Sequence, residues 1–337
     1  MRIGPGAAVI LGLAVLAGLL GVVYEQVGRF RAARDFPPPG RMVDIGGRRI
    51  QLDCRGSGSP TVVFEAGQSV AGALDWAAVQ PKVAAHTRAC AYSRAGLMWS
   101  DPSNEVSSAK QVAQDLHAAL TAAGERGPFV MVGQSIGGPY VVSFTRYFGA
   151  QVAGLVLVDP SHPDQAARVA QYMVEKRSPL SRLFLRLGWT GLLRVAAPRL
   201  LPRMPHQSEQ EVAAIRAFAP LSFRTELAES DATERTLAEA GAFRELGDRP
   251  LVVLTAMAPY TESELHGMKI TPAQGKEVQA LWKQMHDDIA TWSTRGTHRL
   301  LPNAGHDIQF DEPDAVVDAV LSVVRQVRAL SPVPASP

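Results

Sequence analysis

The sequence predicts an α/β fold: a mostly parallel, eight-stranded sheet flanked by helices, with a helical insert after the sixth strand and a membrane-spanning helix in front. Three observations predict it. Short apolar runs of strand length alternate with segments of helical spacing, the pattern of a parallel sheet covered on both faces. One such run, Phe129-Val130-Met131-Val132, passes straight into Gly133-Gln134-Ser135-Ile136-Gly137 and then into a helix-like segment. Residues 3–24 carry no charged side chain.

The chain has 337 residues, 46% hydrophobic and 20% charged, enough to bury a sizeable core. A net charge of +2, with no Lys/Arg block and no aromatic–basic stripe, leaves no footprint for nucleic acid. The apolar run at 3–24 would span roughly 33 Å as a helix, enough to cross a bilayer core. Arg2 precedes it, and Arg29, Arg31 and Arg34 follow. We read it as an uncleaved single-pass anchor. The rival reading is a cleaved secretory signal, which would release the rest of the chain outside the cytosol, but no small-x-small site closes the run. A buried soluble helix fits least, because the run is apolar on every face. Orientation is left open: the basic flank argues for a cytoplasmic domain. Cys54 and Cys90 point outward if they pair, since disulfides persist outside the cytosol. Both lie in predicted strands, where buried free thiols are the plainer reading and a disulfide the other.

Residues 25–40, ending Phe36-Pro37-Pro38-Pro39-Gly40, read as a Pro-rich spacer. Segments 41–45 and 49–54 flank Gly46-Gly47 as an antiparallel hairpin. A strand at 61–65 ends in Ala66-Gly67-Gln68-Ser69. Residues 74–86 have helical spacing, 87–93 read as a strand, and 105–123 as a helix with Val106, Val112, Leu116 and Leu120 inward. The strand at 129–132, its helix to 148, and a continuous apolar strand at 152–158 ending at Asp159 come next. From 160 to 249 no strand pattern is visible. Helical segments there are broken by Pro179, Pro198, Pro202, Pro205 and Pro220, and we read the insert as a cap. Strand 250–254, helix 271–293, strand 297–301 and a closing helix 313–330 complete a domain at 41–330. Residues 331–337 read as a disordered tail.

Gly-x-Ser-x-Gly between a strand and a helix carries chemistry because the sharp turn lifts the serine oxygen to the carboxyl edge of the sheet. Side chains at Gly133 and Gly137 would collide across the bend, and the Ile136 N–H points to where an oxyanion would form. Ligands in such sheets bind beyond the carboxyl ends of the strands. Three strand ends bear reactive residues there: Ser135, Asp159 and His306, in the order Ser, Asp, His.

On these residues the chain resembles the α/β-hydrolase superfamily over residues 41–330. It is most similar to bacterial, often membrane-anchored hydrolases that carry Phe-Pro-Pro-Pro-Gly, Glu-Ala-Gly, Tyr-x-Arg-Ala-Gly-x-x-Trp-Ser-Asp and Leu-Val-Asp-x-x-His-Pro segments. Here these are residues 36–40, 65–67, 92–101 and 157–163. The resemblance makes Ser135 the nucleophile and His306 the general base. It leaves the acid open. Most members carry it a few residues beyond the strand at 250–254, where this chain has no carboxylate before Glu262 and Glu264. A minority take it from the strand after the elbow helix, where Asp159 stands; Asp164 lies near. Asp159 is the expected acid. The second oxyanion donor falls by position on the N–H of Gln68, beside that of Ile136. Relatives usually have His at Gln134 and Asp at Ser93, and the serine is expected to remove a hydrogen bond near the sheet edge. In the usual strand order the strands bearing Cys54 and Cys90 are neighbours, which opens a disulfide. His162, His266, His286 and His298 are expected to be structural or exposed.

The expectation is thus a serine hydrolase, best a carboxylic-ester hydrolase, acting on a small-molecule ester with an apolar group that the Leu-, Met- and Phe-rich cap would favour. No His/Cys/Asp cluster has metal-ligand spacing and no strand is followed by Gly-x-Gly-x-x-Gly, so no cofactor or metal is expected. The same triad serves peptidases, lactonases and C–C bond hydrolases. A membrane-tethered binding protein of the same fold without turnover is the reading from another class.

Overall fold

The computed structural model describes residues 5–103, 108–170, 172 and 179–330. The strands are β1 (Arg41–Asp44), β2 (Arg49–Arg55), β3 (Thr61–Glu65), β4 (Ala89–Ser93), β5 (Phe129–Gln134), β6 (Val152–Val158), β7 (Leu251–Ala256) and β8 (Gly296–Leu301). They form one eight-stranded sheet in the order β1-β2-β4-β3-β5-β6-β7-β8. The pairs β1–β2 and β2–β4 are antiparallel, and the rest are parallel. The helices are α1 (Pro5–Asp35), α2 (Gln80–Ala84), α3 (Ala109–Ala122), α4 (Gly137–Phe148), α5 (Gln165–Val169), α6 (Pro179–Arg186), α7 (Leu192–Leu200), α8 (Glu209–Gly241), α9 (Glu262–Met268), α10 (Pro272–Ala290), α11 (Ile308–Asp311) and α12 (Pro313–Leu330).

Successive side chains on a strand point to opposite faces, so each central strand feeds two cores. Val63, Met131, Leu155 and Val253 pack with Leu116, Val141, Phe144 and Ile289 on one face. Phe64, Val130, Val132 and Val252 pack with Trp76, Val320 and Val323 on the other. Every residue of β5 is buried, which is why its sequence is a run rather than an alternation. The cap, α5 to α8, is inserted between β6 and β7 as expected.

Several boundaries differ from expectation. The stretch 74–86 is a 3-10 turn, Gly72–Trp76, followed by the short α2, because Pro81 in the first turn of α2 starts a new helix. The cap prolines at 198 and 220 do not break their helices: α7 and α8 run through them. Buried Phe218, Ala219, Ser222 and Phe223 hold α8 on both sides of Pro220. Arg194 donates to the Ala217 carbonyl, one residue from the acceptor Pro220 cannot serve. Helix α9 lies where no helix was expected, started by a capping box between Thr261 and Glu264. The expected helix start at 105–107 and the tail at 331–337 lie outside the described residues.

The spacer reading of 25–40 is corrected. Helix α1 continues to Asp35, leaving only 36–40 as a connector. Residues 21, 25, 28 and 32 form one face of it against the cap. Glu25 is buried and paired at 2.9 Å with both Arg194 and Arg29, and Ala32 joins the cap core. An apolar stretch of α1 is long enough to cross a membrane, a property that signal sequences share. Cys54 and Cys90, directly opposite in the β2–β4 register, form a disulfide, so the free-thiol reading is corrected too. Ser93 stands on an interior strand rather than the sheet edge. Instead of losing a hydrogen bond it donates to Gln51 (2.8 Å) and accepts from the Ala73 N–H (3.2 Å).

Candidate active site

Strand β5 hands the chain to α4 through Ser135, whose φ of +52° puts it in the left-handed region that non-glycine residues avoid. The turn is pinned from both sides. Ser135 N–H donates to the Val158 carbonyl (3.1 Å), and its own carbonyl accepts from Gly138 and Ser161. A Cβ at Gly133 would lie 2.8 Å from the Gly138 nitrogen, the collision across the bend that was expected. A Cβ at Gly137 would instead strike the carbonyl oxygens of Glu65 and Ala66, at 2.7 Å. The second glycine therefore lets β3 approach the elbow.

The structure brings the three strand ends together. Ser135 Oγ donates to His306 Nε2 at 3.0 Å, and His306 Nδ1 donates to Asp159 Oδ2 at 2.6 Å. Asp159 ends β6 at φ +41° and is held at its other oxygen, where Oδ1 accepts the Ala256 N–H (2.9 Å). The other acid candidates are placed elsewhere. Glu262 is exposed, Glu264 is occupied capping α9, and Asp164 pairs with Arg244 at 2.8 Å. Burial opposes the His306 imidazolium. The bond to Asp159 and the charges of Asp159 and Asp307 outweigh it and lift the ring to about 9. Because 59% of its side chain is accessible, solvent screens part of that pull.

The N–H groups of Gln68 and Ile136 donate to no other residue among those described, so both are available to an anionic oxygen. The Gln68 side chain donates to Glu226 of α8 (2.7 Å). Gln134 donates to the His306 carbonyl (3.3 Å) and lies 3.4 Å from Nε2, so it braces the histidine from the nucleophile's side.

Two supports were not visible in the sequence as roles. The first is Arg94, from the Tyr-x-Arg-Ala-Gly segment. Its Nε and Nη2 donate to Glu229 of α8 (both 2.8 Å), its Nη1 to Glu65 (2.7 Å), and Nη1 and Nη2 to the carbonyls of Ala66 and Gly67 (2.7 Å each). All five guanidinium N–H groups are thus used. They fix the turn that precedes Gln68 and tie it to the cap. The second is a chain of rings behind Asp159. His286 Nε2 donates to the Pro160 carbonyl (2.8 Å), and its Nδ1 meets Thr255 Oγ1 (2.6 Å). The same hydroxyl meets His298 Nε2 (2.6 Å), whose Nδ1 meets Asp287 (2.7 Å). These four contacts need one proton each. Two neutral imidazoles and one hydroxyl supply three, so the chain is complete only with one further proton. Burial works against charge on His286. The expectation that His286 and His298 are structural stands in this form. His162 is buried and bonded to Asp288 (3.0 Å).

Cavities open on both sides of the triad. One of about 260 Å³ is lined by Gln68, Gln134, Asp307, Ile215, Phe223 and others from the cap. Another of about 640 Å³ is lined by His306, Asp159, Tyr260, Trp282 and Met268. Asp75 faces the first; burial pushes its carboxyl up to about 7. Cys54, Cys90 and Glu125 cluster closely enough for a metal, but the two sulfurs are joined to each other and offer no thiolate.

A strained serine at a strand–helix turn, facing a histidine and an aspartate from later strand ends of a mostly parallel eight-stranded sheet, defines the class of α/β hydrolases. The chain belongs to the alpha/beta hydrolase family, whose model matches residues 48–319. Among curated proteins it is 24% identical over 205 residues to the uncharacterized protein YbdG of Bacillus subtilis (strain 168), which covers 60% of this chain and 61% of that protein. Among solved structures it is similar to a thermophilic esterase from Thermogutta terrifontis (TM-score 0.57, 18% identity, 85% of this chain and 97% of that one). It is also similar to the epoxide hydrolase CorEH (TM-score 0.60, 18% identity, 86% and 98%). At such identities the likeness is one of fold.

Proposed function

We propose that the protein is a serine hydrolase, best a carboxylic-ester hydrolase. The observation that carries the reading is the unbroken path from Ser135 Oγ through His306 to Asp159, at 3.0 and 2.6 Å. His306 takes the serine proton as Oγ attacks the acyl carbon. The carbonyl oxygen becomes an oxyanion between the N–H groups of Gln68 and Ile136. The imidazolium, held in its tautomer by Asp159, then protonates the departing alcohol and leaves an acyl-enzyme. Water enters, gives its proton to His306, and releases the acid. The site needs no cofactor for these steps. A small ester with an apolar group suits the cap-lined cavity.

Helix α1 is a retained anchor in this reading. Glu25 is buried in an ion pair with a cap arginine, so losing the helix would leave Arg194 without its carboxylate partner. The Cys54–Cys90 disulfide favours a domain outside the cytosol, against the basic flank. A fluorophosphonate probe tests the chemistry: Ser135 in the purified protein should label and Ser135→Ala should not. A folded protein that fails to label rejects the enzyme reading.

A further inference from the structure

We propose that the cap rests on the bilayer, with the face built from the turn Leu187–Thr190 and from α7 lying at the boundary between headgroups and acyl chains; this rests on the reading of α1 as a retained anchor. The cap is clamped to α1 within the apolar stretch itself. The backbone of Gly21 rides against Thr190, and Tyr24 packs against Gly191. Wherever residues 21–24 sit at the membrane surface, Trp189 and α7 must sit there too.

That part of the cap carries what an interface requires. Trp189 is 52% exposed and Val195 60%, with Leu192 and Leu200 also exposed on the outer side of α7. Val23, Val27 and Phe30, on the side of α1 turned away from the cap, are exposed as well, so apolar surface extends past residue 24 on α1 too. An exposed patch of this kind needs a cover. Beside Trp189, a groove of about 530 Å³ is lined by Arg186, Arg224 and Asp231; Asp231 is paired with Arg182, and neither Arg186 nor Arg224 makes an ion pair among the described residues. Tryptophan flanked by unpaired arginines matches the headgroup region of an anionic leaflet. The next two residues after Leu200, Leu201 and Pro202, line the 260 Å³ cavity beside the triad. The docked face therefore places that cavity close to lipid, and the substrates it favours are esters that partition into the bilayer.

The test uses the full chain in phosphatidylcholine/phosphatidylglycerol liposomes. Lipids brominated near the headgroup end of the acyl chain should quench a component of tryptophan fluorescence that Trp189→Leu removes. The double variant Leu192→Asp/Val195→Asp should lower turnover of a bilayer-partitioned long-chain ester about tenfold, with p-nitrophenyl acetate turnover within about twofold of wild type. Unquenched Trp189 in protein that resists carbonate extraction overturns the docking. So does cross-linking through this face to a second copy. Release by carbonate overturns the anchor reading and the docking with it. Quenching in a protein that fails to label at Ser135 upholds the docking and rejects only the hydrolase reading.

Discussion

Two places in this molecule join three distant chain segments through polar contacts, and they do so in opposite ways. Around Arg94, β3, the loop after β4 and cap helix α8 meet at a guanidinium that is 3% exposed and spends every N–H on a fixed acceptor. Around His306, the ends of β5 and β6 and the loop after β8 meet at a ring that is 59% exposed and bonded to a hydroxyl and a carboxylate. The first is saturated and has no proton to move. The second is held only in outline, and its Ser135–His306 proton can change owner. Both centres set a basic side chain against carboxylates; what separates them is whether a proton between the partners can change owner.

The largest effects should come from the reactive centre. Ser135→Ala should lower kcat by about 10⁶-fold. Asp159→Asn should lower it by about 10⁴-fold, while Glu262→Gln and Asp164→Asn leave it within about twofold. Steady-state kinetics on one short-chain ester checks all four, and a large loss in Glu262→Gln would move the acid to the later position. The raised His306 ring sets the sign of the pH dependence. On the proposed mechanism His306 acts as the neutral imidazole, so kcat/KM should climb as pH passes upward through its pKa, with a midpoint above the ordinary imidazole value and toward about 9. In Asp159→Asn the residual activity should show a lower midpoint, because the carboxylate that favoured the imidazolium is gone.

Breaking the bracket should read out differently. Arg94→Met strands Glu65 and Glu229 in a buried site, at a cost of about 3–5 kcal/mol, seen as a lower thermal midpoint and a looser cap. Arg94→Lys should rescue little, since an ammonium has three donors where five are used. A variant with wild-type stability and lost turnover would show that Arg94 belongs to the chemistry instead.

This contrast also explains what the sequence could and could not disclose. That Ser135, Asp159 and His306 would meet was legible because the first two directly follow strands, the third lies in the loop after β8, and the carboxyl ends of these strands converge by topology. Gly133 was legible for the same local reason. The role of Arg94 was not, because its main partner Glu229 lies 135 residues away on a helix with no reading of its own. The buried Glu25 was missed likewise: its partner Arg194 is 169 residues distant, and without it residues 25–35 look like polar linker. Thr255, His286 and His298 come from a strand, a helix and another strand, and no spacing rule joins them. The capping box at Thr261-x-x-Glu264 is written in the sequence, but Glu264 stands where most relatives carry the acid, and that second meaning hides the helix start. The disulfide required knowing that the β2–β4 register sets Cys54 against Cys90.

Between bracket and centre lies the ring chain behind Asp159, and its loss should cost less than either. His286→Phe removes the donor to the Pro160 carbonyl and the partner of Thr255, the residues flanking Asp159 and its Ala256 donor. We expect kcat to fall about tenfold with KM unchanged, the worth of one well-made hydrogen bond. Steady-state kinetics on the same short-chain ester checks it, and a loss as large as that of Asp159→Asn would put His286 in the chemistry.

The smallest effect tests a carboxyl that belongs to neither group. Asp75 lines the cavity beside Gln68, bonds to Ser69 at 3.0 Å, and is pushed up to about 7 by burial. Its folded form therefore holds a proton that the unfolded chain, titrating near 3.9, has already released. Stability must then fall as pH rises from about 4 to 7 and level off above, where the buried carboxylate is charged in both states. Asp75→Asn keeps the contact with Ser69 and removes the titration. Its thermal midpoint should match wild type near pH 4, exceed it by a few degrees at pH 8, and show no further divergence at pH 9. A gap of the same size at pH 5 and pH 8 would mean that Asp75 is ionised throughout, held by the Arg94 charge, and that the bracket's field reaches the cavity wall.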